Sequence, residues 1–174
     1  NRAWWRVLGV TLRGNERGLS IVASSNVFVR RSSISRAAWD GARIWGSRKN
    51  GFVSNTFASN GGRGILFVSS RTNFVFGNIA RQNATNGFES YASTNIRIES
   101  NFARSNRYTG IVSTVGSRGT RIFANTLLTN ADKGIMIYGA GTVSFQVRGN
   151  LVRRNANEGI YVQNGAAGGS ITSN

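Results

Sequence analysis

Six carboxylates, on Glu16, Asp40, Glu89, Glu99, Asp132 and Glu158, are the whole acidic complement of this chain. Histidine and cysteine are absent. Imidazole acid–base chemistry and thiolate nucleophiles are therefore excluded, as are disulfides and thiolate metal sites. No metal site and no cofactor are expected. Hydrolysis of a glycosidic bond by two carboxylates requires them about 5 to 9.5 Å apart. Only Glu16 with Asp40, or Asp132 with Glu158, are spaced so that a fold could bring them that close. Both pairs fall in turns, where carboxylates usually stay solvated and offset nearby arginine.

Guanidinium is the abundant group. Twenty-two basic residues, 20 of them arginine, stand against the six acids and give a formal charge of +16. Such a field favours polyanions without naming one. Forty per cent of the residues are hydrophobic, enough for a folded core, and no apolar run approaches the roughly 18 residues that span a bilayer. The chain starts without Met and ends on SITSN, so it reads as a single domain over 1–174 that is a segment of something longer.

What positions these groups is a repeat. ESNFARSNRYTGIV, residues 99–112, has the order of FGNIARQNATNGFE, residues 76–89, placed 23 residues upstream. The closing glycines are Gly18, Gly41, Gly64, Gly87, Gly110, Gly134 and Gly159, and an apolar residue follows each. One asparagine column precedes them by four residues, from Asn60 through Asn83, Asn106 and Asn130 to Asn155. A second column lies five further back: Asn55, Asn78, Asn101, Asn125 and Asn150. Within a repeat the apolar period is two, and no stretch carries ten residues of helical periodicity. Each repeat predicts three short strands, such as Ile65–Val68, Phe74–Phe76 and Ile79–Arg81.

A unit this small cannot bury its apolar face alone, whereas stacked copies can. The sequence predicts an all-β, right-handed, single-stranded parallel β-helix, a solenoid of about seven coils of 23–25 residues. Coils stacked at about 4.8 Å superimpose like residues. The Asn columns then become amide ladders, with asparagine taking the left-handed conformation at each bend. The glycines are expected at positive φ. Proline is absent, as suits strands whose N–H groups all enter a ladder.

The N-x4-N-x3-G-[I/F] pattern resembles the right-handed parallel β-helix repeats of the pectate-lyase-like superfamily over essentially the whole chain. The resemblance implies that Asn55, Asn78, Asn101, Asn125 and Asn150 fill the tight bend between the second and third strands. It also implies that the outer face of the strands following glycine is a groove for polysaccharide. Alternation sends Leu66, Glu89, Val112, Met136 and Tyr161 outward there, with Val22, Trp45, Val68, Tyr91, Thr114, Tyr138 and Gln163 beside them. The candidate ligand-binding residues are Trp45, Tyr91, Tyr138, Tyr161 and Arg43 on this face, joined by Arg97, Arg121 and Arg148 on the second strands.

Three readings follow. The first is a non-catalytic extracellular β-helix that binds or displays on an acidic polysaccharide through these Arg and aromatic columns. The second is a polysaccharide lyase or uronate epimerase; the resemblance gives Tyr91, Tyr138 and Arg43 as its acid or base, while the acid cluster of a calcium-dependent lyase is missing. The third is a structural shaft of a phage tail fibre or surface adhesin. Nucleic acid is a lesser partner, because arginine with aromatics suits single strands but no recognition motif is present. Uncapped coil ends predict self-association, with NRAWWRV shielding the first coil.

Overall fold

The computed structural model describes residues 4–174. Among them, 22 strands of three or four residues succeed one another with no helix. They form three parallel sheets. Sheet A has eight strands, from Trp5–Leu8 to Ser170–Thr172; sheet B has seven, from Thr11–Arg13 to Leu151–Arg153; sheet C has seven, from Leu19–Val22 to Ile160–Gln163. Every strand pairs with the strand three places along the chain, so successive coils stack and like positions register. The predicted strands Ile65–Val68, Phe74–Phe76 and Ile79–Arg81 are found with those boundaries, in sheets C, A and B.

The interior is a column of apolar side chains contributed by all three walls. Phe52 of sheet A meets Phe57 of sheet B at 6.4 Å and Phe67 of sheet C at 6.1 Å between ring centroids, both edge-on. All three are fully buried. Edge-to-face geometry sets the positive ring rim against a negative face, which adds about 0.5–1.5 kcal/mol per pair to the burial itself.

The corners are held by amide and hydroxyl ladders. Nδ2 of Asn55 donates to Asn78 Oδ1 at 2.9 Å, and the relay continues through Asn101, Asn125 and Asn150 at 3.0–3.1 Å. Asn60, Asn83, Asn106, Asn130 and Asn155 form a second ladder, each step 2.9 Å. A third corner, between sheets C and A, is a serine ladder that was not anticipated. Each backbone N–H donates to the hydroxyl one coil on, from Ser24 to Ser47, Ser70, Ser93 and Ser117, at 3.0–3.2 Å.

Two expectations about backbone conformation are corrected. The left-handed residue is the one before each ladder asparagine, not the asparagine itself: Ser54, Gly77, Ser100, Ala124 and Gly149 all have φ between 51° and 63°. That conformation costs about 1–2 kcal/mol for a residue with a Cβ. The adjacent amide offsets it by satisfying backbone groups that the bend takes out of the sheet. The glycine column, from Gly18 to Gly159, is absent from the positive-φ residues altogether. Its cause is close approach: a Cβ on Gly64 would lie 2.5 Å from the carbonyl oxygen of Gly87, and one on Gly87 would lie 2.6 Å from that of Gly110.

Trp4 and Trp5 do not shield the first coil. Trp5 begins sheet A and stays 69 % exposed, while Trp4 stacks on Phe28 at 5.1 Å against the outside of that sheet. Residues 1–3 of the expected cap lie outside the described residues.

Candidate functional site

Sheet C presents its outer face as two columns of very different character. In one, Trp45, Val68, Tyr91, Thr114 and Tyr138 register coil upon coil. Trp45, Tyr91 and Tyr138 are open to solvent at 55, 39 and 36 %. Val68 and the buried Thr114 stand between them. Rings on alternate coils are roughly 10 Å apart. Large and small side chains thus alternate along the column. Tyr138 is further fixed at its hydroxyl, which accepts a 2.8 Å hydrogen bond from Asn164 Nδ2.

The second column differs from expectation. Leu66, Glu89 and Val112 point away from the core, yet they are buried at 4, 5 and 1 %. Turn side chains close over Glu89. Arg63, in the turn before Gly64, reaches up to Glu89 with Nε at 2.9 Å, and Asn86 Nδ2 donates to the same oxygen at 2.8 Å. Tyr161, further along, is half-buried beneath Lys133, whose Nζ lies 4.9 Å from its ring centre. Strand alternation gives a side chain's direction but not what lies over it, which is why this column was expected in the open.

The carboxylates are tied down in the same way. Asp40, expected to be solvated, is 5 % exposed and accepts the Arg63 backbone N–H at 2.9 Å. Burial of the Arg63 guanidinium disfavours its charge, but Glu89 and Asp40 outweigh that and raise its pKa. Asp132 accepts from Lys133 and from Asn157, each at 2.8 Å, and from Thr109 at 3.2 Å. Lys133 also approaches Glu158 at 3.4 Å. Partial burial would raise the Asp132 pKa, but these donors, Lys133 foremost, hold it below the ordinary carboxylate value.

A pH dependence follows from that shift. A carboxyl whose folded pKa is depressed contributes stability that is complete above the unfolded value, about 3.9, and is lost as pH falls through the folded value. Asp132→Asn should therefore be less stable than the parent at neutral pH. The gap should close below about pH 4, read from melting temperatures across an acid series.

Beyond the aromatic column, in the turn leading into sheet A, is a line of cations that the sequence reading did not single out. Arg48, Arg71 and Arg118 occupy one bridge position in successive coils, with Thr94 between the last two. All three are exposed, and they take part in no ion pair among the described residues. The signal was available as Ser-Arg at 47–48, 70–71 and 117–118, a 23–24-residue recurrence, but it resembled loop composition. Arg43, two residues before Trp45, is half-buried, and its Nε is sequestered without a hydrogen-bond partner among the described residues.

The remaining candidates lie elsewhere. Arg97, Arg121 and Arg148 are on the outer face of sheet A, with Arg97 and Arg121 directly in register. Arg97 is paired with Glu99 of its own strand. These three do not join Trp45, Tyr91 and Tyr138 on one surface.

A solenoid of three parallel sheets with asparagine corners and an open sheet face defines a class, and the chain falls within it. It belongs to the right handed beta helix region family, whose model matches residues 1–146. Among solved structures it is similar to the periplasmic alginate epimerase AlgG, with TM-score 0.82 and 16 % identity over 91 % of this chain. It is also similar to the A-module of Azotobacter vinelandii mannuronan C-5 epimerase AlgE6 (TM-score 0.73, 15 % identity, 95 % of this chain). A third similar structure is the enzymatically active domain of bacteriophage CBA120 tailspike protein 2 (TM-score 0.63, 11 % identity, 89 % of this chain). The chain spans 38, 57 and 31 % of those three proteins, respectively. No curated protein sequence matches it significantly. Among the described residues no helix is long and apolar enough to cross a membrane.

Proposed function

We propose that this protein is a non-catalytic binding module for an acidic polysaccharide, a uronate polymer such as alginate or polygalacturonate, and that it works outside the cytoplasm. The observation that carries this reading is the exposed Trp45–Tyr91–Tyr138 column edged by Arg48, Arg71 and Arg118. Two coil spacings, roughly 10 Å, come close to the length of a disaccharide. A strand lying along the solenoid axis can therefore set every second sugar on an aromatic ring, with its carboxylates toward the arginine edge. Charge-assisted hydrogen bonds from guanidinium to carboxylate are the strong polar contacts here.

The acids support binding over turnover. Asp40, Glu89, Glu99, Asp132 and Glu158 are each engaged by a neighbouring cation, which leaves Glu16 as the carboxylate without such a partner among the described residues. The likeness to epimerases and to a tailspike enzyme is a likeness of fold, and epimerisation is the rival reading.

The test is retention on immobilised alginate and polygalacturonate. Retention is expected at low ionic strength and should fall away near 1 M salt, where the screening length is about 3 Å. Replacing Trp45, Tyr91 and Tyr138 together by alanine should weaken binding at least about tenfold. Retention indifferent to both changes removes the proposal. Proton exchange at the uronate C5 position, or release of unsaturated product on incubation with the polymer, would replace it by the enzymatic reading.

A further inference from the structure

The outer face of sheet A holds a second feature, separated from the aromatic column of sheet C by the turn that carries Arg48 and Arg71. Its two outward columns enclose a groove of about 630 Å³ along the solenoid axis. The apolar lining is Trp4, Leu8, Phe28, Val53, Phe74 and Phe76. Leu8 and Phe76 are exposed at 64 and 46 %. Gly51 shapes one wall: a Cβ there would meet the Phe74 ring at 2.4 Å and that of Phe28 at 2.9 Å. Its absence lets the two rings, which start two coils apart, converge to 6.0 Å between centroids. The result is a continuous apolar ridge with Trp4 stacked at its end.

Cations interrupt that lining and run along one side of it. Arg6 and Arg30 stand in the groove walls, Arg121 continues the ridge column beyond Arg97, and Arg48 and Arg71 run along the far side in the turn from sheet C. The one acid in the lining, Glu99, is already paired with Arg97. An occupant must therefore carry apolar groups and negative charge side by side over several coils. A uronate polymer offers flat pyranose faces but no apolar side chain to enter between the columns. A single-headed anionic lipid has charge at one end only. A second copy of the chain carries +16 and presents no helix among its described residues.

We infer that this groove docks an acidic amphipathic helix of a partner protein, laid parallel to the solenoid axis. The periodicities agree. Residues seven apart on a helix return to nearly the same face and rise about 10.5 Å, close to two coil spacings of about 4.8 Å each, so an apolar stripe at i, i+3, i+4 and i+7 can follow the groove. From Leu8 to Glu99 the groove crosses four coil steps, roughly 19 Å, or about 13 residues of helix. The apolar stripe enters between the columns, and Glu or Asp beside it meets the arginines.

The probe is a synthetic helical peptide with leucines at i, i+3, i+4 and i+7 and glutamates flanking them, followed by fluorescence anisotropy. The protein should bind it, bind a lysine-flanked version at least tenfold more weakly, and lose affinity as salt rises. Phe76→Ser and Arg30→Glu should each weaken binding at least tenfold, with circular dichroism and alginate retention unchanged. Trp45→Ala should leave peptide binding intact, which separates this groove from the sheet C face. Failure to bind the acidic peptide, or binding by both groove variants as tight as the parent's, overturns the inference. So does Phe76-dependent binding of phosphatidylglycerol vesicles in place of the peptide, or a concentration-dependent dimer abolished by Phe76→Ser.

Discussion

Asn78→Ala is expected to destabilise the solenoid by about 4 kcal/mol, near the top of the range for a single polar substitution. Asn78 Oδ1 accepts both the backbone N–H and the Nδ2 of Asn55, each at 2.9 Å. Its own Nδ2 donates to the carbonyls of Phe52 and Phe76 and to Asn101. Alanine strands the Asn55 N–H in a site with no water access and leaves several acceptors short. One buried donor without a partner costs about 1–3 kcal/mol, and the vacated amide volume adds to it. The chain itself supplies a control. Ser32 holds the same column two coils earlier and accepts the Val10 N–H through its hydroxyl at 3.3 Å. Asn78→Ser should therefore recover a good part of the loss. Chemical denaturation of the three proteins gives the comparison, and equal midpoints for all three would mean that the ladder contributes nothing.

Gly87→Ala should have a comparable effect by a different route, about 3 kcal/mol. The added methyl meets the Gly110 carbonyl oxygen at 2.6 Å and the Ala103 Cβ at 3.1 Å. That oxygen is no flexible tip: it accepts the Phe88 N–H at 3.0 Å in the ladder between coils. Relief requires the coils to part, which loosens the sheet on both sides. Gly159→Ala tests the cause, since a Cβ there meets only Val152, at 3.5 Å. The same substitution in the same column should thus be nearly neutral at 159 and severe at 87. If the glycines served positive φ, both would suffer alike.

The pair of predictions also marks what the sequence made legible. Asn and Gly recur at fixed offsets because each has a chemical role no common residue replaces, so the period, the three strands and the two asparagine ladders were readable. The left-handed bends were not, because Ser54, Gln82, Thr129 and Arg154 adopt them with φ of 52–55° and share no property a sequence displays. The amide one residue later satisfies the bend, and residue type at the bend itself is free to vary. Trp45, Tyr91 and Tyr138 were legible as an exposed column because strand alternation and the period together fix their direction. Glu89 was misjudged because its burial depends on the side chains of Arg63 and Asn86 reaching over from the turns beside it. Arg48, Arg71 and Arg118 were missed for a related reason. Their place beside the aromatic column is set by a turn held by serine hydroxyls, and serine in a turn reads as ordinary loop.

The structure of the protein with a bound uronate oligosaccharide tests the functional account most directly. The account predicts sugar density along sheet C, parallel to the solenoid axis, with pyranose rings over Trp45, Tyr91 and Tyr138 and carboxylates within hydrogen-bonding reach of the Arg48, Arg71 and Arg118 edge. An oligosaccharide bound elsewhere, or lying across the coils with those three rings untouched, would contradict it.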